Sequence, residues 1–128
     1  MCHPYLKGGG KIINLASSSA LRADSEGYGA YASVKEAIRS ISRTAAVEWG
    51  PDKILVNCIM PLAKSSGMEW WMNERPEEAA EFVKTIPLGK VGDCQEDIGE
   101  AVCHLFSDGM SYITGSTIML DGGQAFLR

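Results

Sequence analysis

No apolar run in this sequence approaches the roughly 20 residues that a helix needs to cross a bilayer, and there is no excess of basic charge. Its 12 Lys and Arg stand against 16 Asp and Glu, a net charge of −4. That balance offers no cationic stripe to neutralise phosphates, so nucleic acid is not expected as a partner. Histidine is scarce: His3 and His104 are far apart in the chain. The four cysteines, Cys2, Cys58, Cys94 and Cys103, form no CxxC pair and no ligand-like spacing, so no metal site is expected. Cys58 and Cys103 lie in apolar stretches and read as small core residues. A serine hydrolase is disfavoured by the lack of a Gly-x-Ser-x-Gly elbow and of a placed histidine. The start, Met1-Cys2-His3-Pro4, lacks the basic-then-apolar pattern of a secretory signal. A cytoplasmic protein with no membrane segment is the expectation. The length, 128 residues, suits one domain spanning 1–128.

Apolar runs and helical patterns alternate along the chain. Lys11-Ile12-Ile13-Asn14-Leu15-Ala16 follows three glycines and reads as a buried strand. A loop rich in Ser, Gly and Ala runs from Ser17 to Gly29 and suits the rim of a site. From about Tyr31 to Trp49 the pattern is helical, with Val34, Ile38, Ile41 and Ala45 at spacings of three and four, and Gly50-Pro51-Asp52 ends it. Ile54 to Met60 is a second apolar run, stopped by Pro61. Residues Leu62 to about Pro87 read as a surface flap with one short helix from Pro76 to Thr85, Pro at its first turn. Asp97 to Ser107 reads as a helix and Thr117 to Leu120 as a third strand. Runs without polar alternation suit a parallel sheet covered on both faces. The expected fold is therefore α/β, with about three parallel strands, flanking helices and right-handed crossovers.

Chemistry is concentrated in Tyr31-Ala32-Ser33-Val34-Lys35. Residues four apart share a helix face. An ammonium fixed beside a phenol favours the phenolate, which makes the pair a device for acid–base work. The serine cluster Ser17-Ser18-Ser19 lies upstream, at the end of the first apolar run. Serine, tyrosine and lysine in this order suggest carbonyl reduction or alcohol oxidation. The pair alone is weak, because Tyr-x-x-x-Lys recurs by chance on many helix surfaces.

An ordered set of motifs is more specific. Lys11 to Ser17, Tyr31 to Lys35 and Val56-Asn57-Cys58-Ile59-Met60-Pro61 come first. Pro87-Leu88-Gly89-Lys90-Val91-Gly92, Glu96-Asp97-Ile98, and Tyr112-Ile113-Thr114-Gly115 leading to Leu120-Asp121-Gly122-Gly123 follow. Across nearly all of its residues the chain resembles the C-terminal half of the short-chain dehydrogenase/reductase family. The resemblance implies a partial Rossmann-like, doubly wound parallel sheet and an oxidoreductase using NAD or NADP. Hydride would pass between the nicotinamide and a small carbonyl or alcohol substrate. It also implies Tyr31 as general acid or base, Lys35 as the group that tunes Tyr31 and bonds the nicotinamide ribose, and a serine on the substrate oxygen. Strand register favours Ser17 for that serine; the family's commonest spacing before the tyrosine gives Ser18. Pro61, Leu62 and Ser66 match the positions at which the family approaches the nicotinamide. A homo-oligomer is implied too, with Ile41, Val47 and Trp49 as candidate contacts on the long helix.

The sequence also departs from the family. The glycine-rich phosphate loop is absent, and Gly8-Gly9-Gly10 does not replace it, because it precedes a strand where a phosphate loop must follow one. The family's catalytic asparagine lies upstream of the region matched; Asn14 and Asn57 are strand residues and do not take that role. Leu62 stands where the family usually has glycine, and a Cβ there disfavours positive φ. Lys64 stands where an apolar residue is usual. A non-enzymatic remnant or oligomerisation module, without cofactor binding, is the alternative. The tryptophans and methionines of the flap, Met68, Trp70, Trp71 and Met72, suit either a bulky substrate or the flap's own small core.

Overall fold

The computed structural model describes residues 2–22 and 27–126. Its regular elements are α1 (His3–Leu6), β1 (Lys11–Leu15), α2 (Gly29–Trp49), β2 (Leu55–Pro61), α3 (Ser66–Glu74), α4 (Pro76–Lys84), α5 (Glu100–Leu105) and β3 (Thr117–Leu120). The strands form one parallel sheet in the order β1-β2-β3. Lys11 pairs with Leu55 and Leu15 with Ile59; Cys58 pairs with Thr117 and Pro61 with Leu120. The α/β fold read from the sequence is thus present, with strand limits shifted by a residue at β2.

The central strand explains its own composition. Val56, Asn57, Cys58, Ile59 and Met60 are all buried, so both faces of β2 are covered and no alternation is seen. On β1 and one residue past its end, the positions facing α2 are Ile12, Asn14 and Ala16. Ile12 packs on a cluster of Ala45, Ala46, Ile54 and Val56; Ala16 clusters with Cys58 and Met60, against which Ile38 packs. The small side chains Ser42, Ala45 and Ala46 are the buried residues of α2 and let it sit close to the sheet. Lys11 points to the opposite face, where its Nζ donates to the carbonyls of Phe106 (3.0 Å) and Ser107 (2.5 Å). That cation caps the C-terminal end of α5, so helices cover both faces of the sheet. Among the described residues β1 has no second strand partner.

The three glycines make a turn, as the sequence suggests. Gly8 and Gly9 have φ of 94° and 144°. Gly10 is needed for a different reason: a Cβ there would lie 2.5 Å from Leu6 Cβ and 2.6 Å from Leu6 O.

Three expectations need correction. The flap is a two-helix hairpin, not a loop with one helix. Ser65 Oγ accepts from Met68 N at 3.3 Å and starts α3, and Trp71 meets Phe82 of α4 edge-on, centroids 5.8 Å apart. Weak helix propensity in Gly67-Met68-Glu69-Trp70-Trp71 is overridden by a cap and by packing on α4. The expected helix from Asp97 begins instead as a π-helical turn, Cys94–Gly99, capped by Asp93. Cys103, read as core, is exposed, whereas Cys58 is buried.

A strap ties the chain after β2 to the rest. Gly92 N donates to Leu62 O (3.1 Å), Lys64 N donates to Gly92 O (2.8 Å) and Leu62 N donates to Leu120 O (2.9 Å). Beside it, Lys90 Nζ donates to both oxygens of Asp97 (2.9 and 2.7 Å), and Asp93 N donates to the same carboxylate (2.6 Å). The Lys90 ammonium and the Asp93 amide hold the Asp97 carboxyl below its ordinary value of 3.8. The Asp97 carboxylate raises Lys90 above 10.5.

The Gly10→Ala variant is expected to lose about 1–3 kcal/mol from overpacking against Leu6. By contrast, Gly67→Ala meets nothing within 4 Å and gains up to about 1 kcal/mol from helix propensity. Chemical denaturation of both checks the pair, and a neutral Gly10→Ala would refute the contact. The Lys90–Asp97 latch stabilises fully between the two ordinary values. Its contribution fades as pH falls through the folded-state value of Asp97, and again as pH rises through that of Lys90. The Asp97→Asn variant should therefore show a flatter acid limb in denaturant midpoint against pH than the parent chain.

Candidate active site

The site residues gather where β1 ends and α2 begins. Ala16 continues the ladder, its N–H donating to Ile59 O at 2.9 Å. Ser17, still extended at φ −157° and ψ 144°, then caps a 3₁₀ turn over Ser18–Leu21. Its Oγ accepts from Ser19 N at 3.2 Å. One acceptor site and the hydroxyl proton of Ser17 stay available. Ser18 is the first residue of the turn, with no side-chain bond to any described residue. The loop between this turn and α2 includes residues 23–26, which lie outside the described residues.

Tyr31 stands in the first turn of α2, 46% exposed. Its hydroxyl bonds to no described residue, and its ring meets Tyr28 edge-on with centroids 6.0 Å apart. Lys35 lies one turn on, with Nζ 5.6 Å from the centroid of the Tyr31 ring. The same Nζ donates to Leu15 O at 3.0 Å. The last carbonyl of β1 thus anchors the ammonium at the strand end, beneath the phenol. Two of its three donors remain free. Tyr31, Lys35 and, through Leu15, the Ser17 strand end are brought together.

Pro61 and Leu62 leave the C-terminal end of the neighbouring strand. Leu62 is absent from the residues with positive φ, so the strain that its Cβ threatened does not arise. Both backbone polar groups of Leu62 are engaged, by Leu120 and Gly92. Leu62 also lines a pocket of about 540 Å³ with Pro87, Leu88, Ile98 and Met119. Ser66, in the first turn of α3, is exposed and its hydroxyl has no partner among the described residues. Lys64 pairs loosely with Glu69 at 3.9 Å.

Sequence reasoning missed the part-buried polar pair beneath this site. Asn14 Nδ2 donates to Ser42 Oγ at 2.9 Å, and Ser42 Oγ donates to Ile38 O at 2.7 Å. A serine two turns after Lys35 and an asparagine in an apolar strand were its only signals. Near them, burial pushes the Cys58 thiol above its ordinary value, with hydrogen bonding at Ala16 and Ser42 pulling it back partway. A buried thiol of that kind is inert. Asn57, as read, is structural: its side chain donates to Ile113 O (2.7 Å) and accepts from Ser116 N (3.1 Å). Asp121 likewise closes a turn, accepting from Gly123 N and Ala125 N. Of the candidate contacts on α2, Ile41 (65%) and Val47 (80%) are exposed. Trp49 instead packs on its own core and on His3, centroids 5.2 Å apart.

Known proteins resemble this chain in sequence and fold. The profile of the family described as enoyl-(acyl carrier protein) reductase matches residues 1–125. A 12alpha-hydroxysteroid dehydrogenase from a Clostridium species is 41% identical over 123 residues, covering 95% of this chain and 47% of that protein. The 3-oxoacyl-[acyl-carrier-protein] reductase FabG of Chlamydia trachomatis is 40% identical over 116 residues, covering 91% and 45%. A short-chain type dehydrogenase/reductase from Mycobacterium ulcerans superposes with a TM-score of 0.81 at 30% identity, over 91% of this chain and 42% of that one. The NADP active-site complex of RhlG from Pseudomonas aeruginosa gives 0.77 at 29% identity, over 91% and 46%. The chain spans about half the length of the curated relatives it matches. With this profile match, these relatives and a shared Rossmann-like sheet, the chain belongs to the short-chain dehydrogenase/reductase family.

Proposed function

We propose that this chain is the catalytic part of an NAD(P)-dependent oxidoreductase acting on a small carbonyl or alcohol substrate. One observation carries the reading: Lys35 is held at the end of β1 by Leu15 O, with Tyr31 one turn away on the same helix face. The names of the relatives support it, since one is a hydroxysteroid dehydrogenase and another an oxoacyl reductase.

In the reducing direction, Tyr31 gives its hydroxyl proton to the substrate oxygen, and in the oxidising direction it takes that proton back. The Lys35 ammonium offsets the negative charge left on the phenolate. The Ser17 hydroxyl holds the substrate oxygen; Ser18, one residue on, is the alternative. A donor aimed at the developing alkoxide helps the transition state more than the ground state. A bound nicotinamide cofactor would supply or accept the hydride. The donors present fit its nicotinamide–ribose end: two Lys35 N–H groups, the Tyr31 hydroxyl and the Ser66 hydroxyl, none of them bonded to a described residue, with Pro61 and Leu62 forming the backbone wall. Nothing among the described residues forms a phosphate cradle, since the Gly8–Gly10 run is occupied as a turn. NAD and NADP both remain compatible with these residues.

The second reading, a non-enzymatic association module, is favoured by the full engagement of the Leu62 backbone. Under either reading we place the protein in the cytoplasm as a single unit over 1–128 that self-associates. The exposed Val34, Ile41 and Val47 of α2 offer apolar surface for a second copy.

Titration with NADH and NADPH, followed by cofactor fluorescence, separates the two readings. Saturable binding supports the oxidoreductase and overturns the module, which has no cofactor site. In any form that turns over, Tyr31→Phe should lower kcat by at least about 100-fold. Its denaturation midpoint should stay put, because the hydroxyl bonds to no described residue. Retained turnover would sink the assignment of Tyr31. Sedimentation of Ile41→Glu should show a lower mass than the parent chain if α2 forms the contact.

A further inference from the structure

We infer that Asn14 and Ser42 form a positioning lock that sets the register of α2 on β1 and so places Lys35 at the strand end. The inference rests on the catalytic reading of Lys35 given above. Three successive inward positions of β1 meet α2 in reverse order. Ile12 packs with the Ala45 and Ala46 cluster, Asn14 bonds Ser42, and Ala16 shares a cluster with Ile38. Alternate strand residues advance about 6.7 Å, and four helix residues advance about 6 Å. Strand and helix therefore run in step over this stretch.

The small apolar contacts there specify register less sharply than a directional bond does. Ala16, Ala45 and Ala46 are small, and apolar contact is non-directional. The Asn14–Ser42 bond is directional and enclosed: Ser42 is 2% exposed. Its hydroxyl accepts from Asn14 Nδ2 at 2.9 Å and donates to Ile38 O at 2.7 Å. Any other register parts the half-buried Asn14 amide from Ser42 Oγ and gives up that bond. A single buried polar pair that selects one register is a known use of such groups. Here it sits one rung from the site. Asn14 immediately precedes Leu15, whose carbonyl receives Lys35 Nζ, and Ser42 lies two turns after Lys35 on the same face of α2.

The test uses the whole chain without cofactor or substrate. Hydrogen exchange of the Lys35 side-chain ammonium is followed by NMR on lysine-labelled protein. Ser42→Ala should speed that exchange about tenfold, the population change expected on loss of one hydrogen bond of ordinary strength. Ser42→Thr should restore the slow rate. Ile54→Val, which loosens the other α2 cluster, should leave it unchanged. Where Ser42→Ala fails to fold, the double variant Asn14→Leu with Ser42→Ala removes both partners and leaves no orphan. It should regain stability yet keep the fast Lys35 exchange. A role in stability alone predicts the reverse, slow exchange returning with stability. Slow exchange in Ser42→Ala, or equal acceleration by Ile54→Val, overturns the lock. A parent chain with no turnover would count against the proposed function and leave the exchange result standing. If the parent turns over, Ser42→Ala should lower kcat more than it raises KM.

Discussion

The close seating of α2 across β1 and β2 is the constraint from which the rest of this structure follows. Ser42, Ala45 and Ala46 are small enough to let helix and sheet approach, and Ile54, Val56, Cys58 and Met60 are fully enclosed beneath. Burial of this kind is the main favourable contribution to folding, at about 25 cal/mol per Å² of apolar surface. It also has a chemical consequence. The N-terminal half of α2 is carried past the end of β1, so that the Lys35 ammonium reaches Leu15 O and lies beneath the Tyr31 ring. Strand end, lysine and phenol are placed by the same packing that makes the core.

A second layer of order comes from backbone bonds around β2. Asn57 pins the segment before β3, and the Gly92 strap holds Leu62 and Lys64 from the other end. The motifs around Thr114-Gly115 and Lys90-Val91-Gly92 therefore have structural work. Thr114 Oγ1 accepts from Val56 N, and Gly92 approaches Leu62 O too closely for a Cβ to fit without a shift, at 3.1 Å. Leu62 is accommodated in this frame at negative φ, with its side chain turned to the pocket shared with Met119 and Ile98. A substitution that looks disruptive in one dimension is absorbed by its neighbours.

The strands were legible because an apolar run bounded by Gly or Pro leaves few alternatives: Lys11–Leu15, Leu55–Pro61 and Thr117–Leu120 appear within a residue of where composition puts them. The long helix was legible from the spacing of Val34, Ile38, Ile41 and Ala45, although Val34 and Ile41 prove exposed and Ser42, Ala45 and Ala46 form the buried face. The α3 helix was not. Its residues have mixed propensity, and what makes it a helix is the Ser65 cap together with the Trp71–Phe82 contact, a partner eleven residues away. Cys103 was misplaced because an apolar neighbourhood in sequence does not say which side of a short helix faces out.

Sequence alone determined the α/β order and the family, and it singled out Tyr31, Lys35 and either Ser17 or Ser18 as candidates, because helical spacing and motif order are local properties of the chain. Tertiary structure alone decided which groups are engaged. Lys35 bonds Leu15 and not the Tyr31 hydroxyl, Asn14 finds Ser42 across 28 residues, and both polar groups of Leu62 are already paired. Hydrogen bonds between distant segments depend on how a helix seats on a sheet, and that seating is fixed by volumes and directions that no single stretch of sequence contains.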